Sequence, residues 1–374
     1  MSVKIIIVVD NLHIGGFQRL ALDQAYQLTD LRVDVEIVVM SESPNSKVPN
    51  FYQIEMDMIN EKGVVVRCAG KSRMKQIHTL AKLAWFDAKN TIVLSHSLRA
   101  VAILFLVNLR VFNRLRVFAV IHQLPTLSKN VQRGKRFLFA QMCNSLFCYS
   151  VAVKRDWETR LSIFKPIKLK SIEVLRNGVY LNRLPIISKV PDQGAPRLIF
   201  LGRDISWKGV ESLVRLAESK SLSHFNLLFM VPDANNSTFM NLPEYLKSRT
   251  EVVSGKTIST YRHRRGDVHL YPVNYGPKAQ YIESVSLNCI EFACLGVPTV
   301  LTSGGLETWP EIKNASIFLE VDWGLISEIE EKILSASALI FSRAEIDQFR
   351  ELFSIENQML ELLAKATGIE SNRI

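Results

Sequence analysis

The chain has 374 residues, 48% of them hydrophobic and 22% charged, with 17 Gly and 13 Pro. Those proportions exclude a disordered polymer, a collagen-like repeat and a small disulfide scaffold, and the length suggests two domains that each bury a core. The net charge of +10 is lopsided: residues 1–185 carry 27 Lys and Arg against 13 Asp and Glu, and residues 186–374 carry 19 against 23. The first half is therefore expected to face something anionic.

In chain order, near-continuous apolar runs predict strands over 3–9, 33–40, 91–94, 116–121, 145–149 and 172–175. The second half offers strands over 197–202, 226–231, 268–272, 297–302 and 316–320. Such runs suit strands buried on both faces. Helical periodicity occupies 16–29, 71–88 and 323–339 among others, and again roughly 341–366. Alternation of this kind predicts parallel sheets with helices on both faces. Pro185, Pro191, Gly194 and Pro196 crowd a stretch of low periodicity before a fresh strand. The reading is an α/β protein of two Rossmann-like domains, 1–185 and 186–350, followed by a C-terminal helix within 351–374. Ligands of such sheets bind beyond the carboxyl ends of the strands, so the expected site is a cleft between the domains.

Five cysteines without a C-x-x-C pair imply neither a disulfide framework nor a zinc ribbon, so reduced thiols in a cytoplasmic protein are expected. The apolar run Val3–Val9 is too short for a signal-peptide core. The longest uncharged run, Phe137–Val153, has 17 residues and several polar ones, short of a membrane span.

Three strand ends carry chemistry. The first strand meets Gly15-Gly16 and then a helix, a turn in which a ligand can approach the backbone and an anion the helix end. The strand over 197–202 runs into Arg203, with Lys208-Gly209 opening the next helix. A forked guanidinium and an ammonium there suit a diphosphate. Further on, Glu283 precedes a helix that Ser286 can cap, Glu291 lies in its second turn, and Gly296 is a suitable C-terminal stop. Two carboxylates beside a phosphate-binding helix end suit the diol and diphosphate of a sugar nucleotide.

Taken in order, Gly15-Gly16, Gly202-Arg203 with Lys208-Gly209, and Glu283-x7-Glu291 with Gly296-Val297-Pro298 resemble the motifs of retaining glycosyltransferases of family 4, which have the GT-B fold. Arg176-Asn177-Gly178-Val179 and Ile121-His122 are also similar to that family. The resemblance covers residues 3–310 well. Gln18, Tyr180 and Ser284 depart from the family's usual Glu, Asp and Gly, and Ser284 stands in the loop whose amides normally meet the transferred sugar.

The resemblance implies two Rossmann-like domains facing each other across a cleft, the first binding acceptor and the second the nucleotide sugar, with the last helix able to pack back on the first domain. It implies sugar transfer from a nucleotide-diphosphate donor to a glycan hydroxyl with retention, in surface-polysaccharide or glycoconjugate assembly of bacterial type. The catalytic set is then Glu283, His122, Arg203 and Lys208. Donor contacts come from Gly15, Gly16, Arg203, Lys208, Ser286, Leu287 and Glu291, the last on the ribose. His13, His96 and Arg19 are assigned to the acceptor side. No D-x-D motif occurs, so the activity is expected to need no metal and no cofactor.

Residues 97–118 mix Arg99, Arg110, Arg114 and Arg116 with Leu104, Phe105, Leu109, Val111, Phe112 and Leu115, and Lys129, Arg133, Lys135 and Arg136 follow. Basic and large apolar residues together suggest a face resting on an anionic membrane, hence a lipid-linked acceptor and a peripheral place on the inner face of the membrane. The alternatives are a GT-B sugar-nucleotide enzyme of another reaction type, an epimerase or an inverting transferase, and a basic nucleic-acid-binding protein. Against the last, aromatics do not interleave the basic runs as stacking platforms do.

Overall fold

The computed structural model describes residues 3–12, 16–40, 53–86, 90–110, 115–121, 130–162, 169–187, 192–202, 208–231, 242–254, 258–273, 286–304, 306, 312 and 314–367. The chain divides into two compact units, Met1–Tyr180 with Ser354–Ile374, and Leu181–Phe353.

The first unit holds strands β1 (Lys4–Val9), β2 (Asp34–Val39), β3 (Val65–Cys68), β4 (Thr91–Ser95), β5 (Arg116–Ile121), β6 (Ser145–Cys148) and β7 (Ser171–Val174). They form one parallel sheet in the order β3-β2-β1-β4-β5-β6-β7. Helices such as Gly16–Asp30, Arg73–Phe86, Leu98–Arg110 and Asn130–Ala140 make the crossovers. Every residue from Ile5 to Val9 is buried, as a central strand covered on both faces requires. β3 was not expected from the apolar pattern. It is an edge strand whose residues alternate between exposed and half-buried, so it has no continuous run to read. Its Arg67 and Lys4 of β1 both bond Glu36 of β2, which settles a buried carboxylate inside the sheet.

The second unit holds β8 (Arg197–Leu201), β9 (Asn226–Val231), β10 (Thr250–Ser254), β11 (Val268–Tyr271), β12 (Thr299–Thr302) and β13 (Phe318–Val321). Their parallel order is β10-β9-β8-β11-β12-β13. Counted from its own first strand this is 3-2-1-4-5-6, the doubly wound arrangement. The strand order reverses beside the first strand, between β8 and β11 here and between β1 and β4 in the first unit. β10, again an edge strand, is the second one that the apolar pattern missed.

The region 341–366, read as one helix, is two, Arg343–Leu352 and Ile355–Thr367, with Phe353 buried at the break. The second of them docks on the first unit. Ser354 pairs with Val179, Ile355 N donates to the Val179 carbonyl at 3.0 Å, Arg116 reaches the Ala366 carbonyl at 2.6 Å, and Lys365 pairs with Glu173 at 2.8 Å. A Cβ on Gly178 would lie 2.6 Å from Ile355 Cα. The glycine of Asn177-Gly178-Val179 is thus a seat for the start of this helix.

Candidate functional site

In the second unit Lys208, Gly209 and Ser286 lie at the end of the sheet where the strand order reverses. β8 ends at Leu201, and Lys208-Gly209 lie beside the end of β11. Gly209 has φ +74°, and a Cβ there would enter the van der Waals shell of the Pro272 carbonyl oxygen, so only glycine lets the two segments close. That contact fixes the preceding lysine. Lys208 Nζ donates to the Tyr271 hydroxyl at 2.7 Å and sits 4.8 Å from the centroid of the same ring. Phenol oxygen and ring face both favour an ammonium, and neither cancels its charge.

The helix Leu287–Ala293 starts at the same end. Ser286 caps it, its Oγ accepting from Cys289 N at 3.4 Å, and Leu287 is buried beneath. Asn288 Nδ2 donates to the Leu201 carbonyl at 2.6 Å and so ties the helix start to the end of β8. Thr302 Oγ1 donates to the Val273 carbonyl at 2.9 Å and holds the end of β12 to the chain leaving β11. At the far end Gly296, φ +75°, closes the helix: its N–H donates to Ala293 and that of Val297 to Phe292, both at 3.0 Å. Helix and strand ends therefore form one hydrogen-bonded frame around Lys208.

Glu291 lies in the second turn of this helix. Its carboxylate has no exposed surface and accepts from Arg183 Nη2 at 3.1 Å, Arg183 itself being buried in the short turn Leu181–Arg183. A contact with ribose hydroxyls, expected of this residue, has to share a carboxylate already engaged by a guanidinium.

In the first unit, Gly16 opens the helix Gly16–Asp30 and is exposed, while Arg19 is buried one turn on. Asp10 follows β1 and accepts from Ser97 Oγ, just past β4, at 2.6 Å. His96, the residue before Ser97, is buried and turned inward. Its Nε2 lies 3.0 Å from Gln24 Oε1, and burial lowers its pKa to about 3, so the ring is neutral and donates that proton. Gln24 Nε2 in turn donates to the Tyr149 hydroxyl at 3.4 Å and to Gln358 Oε1 at 3.3 Å, and Gln358 donates to the Arg176 carbonyl. The expected acceptor-side histidine is thus part of the clasp on the C-terminal helix.

His13, Gly15, His122, Arg203 and Glu283 lie outside the described residues. Sequence reasoning missed Tyr271, Asn288 and Arg183. Tyr271 ends a strand that the apolar pattern did find, and Asn288 sits inside the quoted Glu283–Glu291 motif, so a search for polar groups at strand and helix ends would have found both. Arg183 carries no local signal, because its partner is 108 positions away. Among the described residues no three His, Cys, Asp or Glu side chains gather to hold a metal ion.

No protein-family model and no curated protein matches the chain in sequence. Solved structures do match in fold. HepE from Anabaena in complex with UDP superposes with a TM-score of 0.70 at 12% identity, over 98% of this chain and 100% of that one. A glycosyltransferase from Rickettsia africae gives 0.69 at 17% identity, over 98% of both chains. Sucrose-phosphate synthase from Thermosynechococcus elongatus gives 0.65 at 17%, over 98% and 99%. With its two doubly wound parallel units, the fold is GT-B.

Proposed function

We propose that the protein is a glycosyltransferase that moves a sugar from a nucleoside diphosphate donor to a hydroxyl of a glycan acceptor, with retention of anomeric configuration. The observation that carries the reading is Lys208, pinned by Gly209 and Tyr271 where the second sheet reverses its strand order. Crevices at such a reversal of strand order bind nucleotides, and HepE has been solved with UDP and with UDP-glucose.

The departing diphosphate gathers negative charge as the sugar–oxygen bond breaks, so stabilising that charge dominates the barrier. Lys208 and Arg203 do this together, helped by amides at Gly15 and Gly16 and at the helix capped by Ser286. Glu283 orients the sugar and its nascent positive charge, and His122 contacts the donor sugar. The departing phosphate oxygen accepts the acceptor's proton, so no separate base or metal is required. Glu291 holds the ribose through the lone pairs that Arg183 leaves. Glu291→Gln tests this without leaving Arg183 alone.

For the acceptor, the helices Leu98–Arg110 and Asn130–Ala140 pack together and expose Leu106 (59%), Leu109 (52%) and Leu138 (46%) beside Lys135 and Arg136. Arg99 and Arg116 do not belong to this face: they bond Gln76 and the Ala366 carbonyl. None of the described helices is long and apolar enough to cross a membrane. The reading is a cytoplasmic enzyme that rests on an anionic inner membrane face and glycosylates a lipid-linked acceptor. Flotation with anionic vesicles is expected to carry the wild type and to lose it in Leu106→Ser/Leu138→Ser; equal flotation with neutral vesicles removes the membrane from the reading.

The chemistry is tested by proton NMR of the first product formed from a nucleoside diphosphate sugar in the presence of EDTA. Product with the donor's anomeric configuration is expected. Inverted product, or turnover that stops with the chelator, overturns retention or metal independence respectively.

A further inference from the structure

A cavity of about 230 Å³ lies in the second unit against β9 and β10, away from the reversal between β8 and β11, and Lys208, Tyr271 and Ser286 do not line it. Its floor is the face of β9 and of the edge strand β10 that carries Met230 and Val253, and its wall is the segment Thr260–Arg264. That wall is rigidly held. Asp267 accepts from Arg197 N, Nε and Nη2 at 2.9, 3.2 and 2.6 Å, from the Tyr261 hydroxyl at 2.6 Å and from Arg264 N at 3.0 Å. The Arg197 charge is thereby matched by Asp267.

Arg262 and Arg264 are in a different position. Both line the cavity, and neither makes an ion pair among the described residues. The Arg264 guanidinium lies flat against Gly194, where a Cβ would come within 3.3 Å of Cζ. Its Nε–H is buried and meets no acceptor among the described residues. A fixed cation with a buried, unsatisfied donor is costly, and such groups usually mark a missing partner. Two carboxylates also line the cavity, Asp192, whose backbone pairs beside Arg264, and Glu251 on β10, likewise without ion pairs among the described residues.

This combination selects its ligand. A bare phosphate would satisfy the guanidinium forks but give the carboxylates nothing. A neutral sugar would donate to the carboxylates and leave the forks empty. A molecule with an oxyanion at one end and hydroxyls at the other satisfies both. We propose that the cavity binds an anionic monosaccharide, a sugar bearing a phosphate or a carboxylate, at a site separate from the strand ends. The proposal stands whether or not those strand ends take a nucleotide.

The test is calorimetric titration of the full chain with glucose 6-phosphate and glucuronate, with glucose and inorganic phosphate as controls. At least one anionic sugar is expected to bind, and to bind tenfold or more tightly than either control. Arg264→Gln and Arg262→Gln should each weaken it about tenfold, the strength of a charged hydrogen bond. The second variant, at an exposed side chain, guards against a folding defect in the first. Lys208→Met should bind as wild type does. No binding by either sugar, wild-type affinity in both arginine variants, or loss in Lys208→Met overturns the proposal. Phosphate binding as tightly as the sugar phosphate overturns the sugar.

Discussion

The two sheets share one topology and differ in what bridges their reversal points. In the first unit a carboxylate and a hydroxyl meet there, Asp10 and Ser97 at 2.6 Å. In the second an ammonium and a phenol meet, Lys208 and Tyr271 at 2.7 Å. A carboxylate suits a hydroxyl-bearing ligand and an ammonium suits a phosphate, so the same architecture offers opposite electrostatics at equivalent places. Around these bridges the contrast deepens. The first unit commits His96, Gln24, Tyr149 and Gln358 to holding its C-terminal helix, whereas the second uses Asn288 and Thr302 to hold backbone around its cation. Fold alone therefore does not say where the anion goes. The side chains at the reversal point do.

The contrast can be broken at its strongest point first. Glu291→Ala leaves the Arg183 guanidinium buried without its carboxylate, and a loss of about 3–5 kcal/mol in denaturant unfolding is expected. Glu291→Gln, which still offers an acceptor, should lose less than half of that; equal losses would mean that the pair is not what Glu291 stabilises.

Next comes the cation. Lys208→Met should raise the dissociation constant for a nucleoside diphosphate tenfold or more, worth roughly 1.5–3 kcal/mol, with little change in melting. Tyr271→Phe keeps the ring and loses the hydroxyl, so its effect should be smaller and in the same direction. A larger effect from Tyr271→Phe than from Lys208→Met would contradict the positioning role of the phenol.

The clasp of the first unit sharpens the comparison from the other side. Gln358→Ala removes an acceptor for Gln24 and a donor for Arg176, at about 1–3 kcal/mol. Hydrogen exchange should quicken over residues 355–367 while nucleotide affinity holds.

The last effect is in pH. Burial lowers the pKa of His96 and of His269, which stacks on Phe292, to about 3 each. The unfolded chain binds those protons near pH 6.5 and the folded chain does not. Their contribution to stability is full above pH 6.5 and is lost as pH falls toward 3, at up to about 1.4 kcal/mol per pH unit for each ring. Melting between pH 7 and 5 should fall, and less steeply in His96→Gln; an unchanged slope would place the His96 proton elsewhere.

Much of this was legible in the residues. Central strands announce themselves because burial on both faces leaves an unbroken apolar run, as in Ile5–Val9 and Leu198–Leu201. The edge strands Val65–Cys68 and Thr250–Ser254 do not, since one side of each has no neighbour and polar residues are tolerated. The break between the last two helices carries no Gly or Pro and is set by the pairing of Ser354 with Val179, a contact invisible in local sequence. Motif spacing located Lys208, Ser286, Leu287 and Glu291 on the strand end and helix of one unit, but not their partners. Periodicity places His96 at a strand end and cannot show its bond to Gln24, because it tells where a side chain starts and not which neighbour takes its proton.

The most direct test of the account is a thermal-shift panel of UDP, GDP, ADP, dTDP and CMP on the wild type and Lys208→Met. A ligand at 100 times its dissociation constant adds about 2.7 kcal/mol to stability. One nucleoside diphosphate should stabilise the wild type, with the shift largely lost in Lys208→Met. No shift with any of the five, or an equal shift in both proteins, would contradict a diphosphate at Lys208.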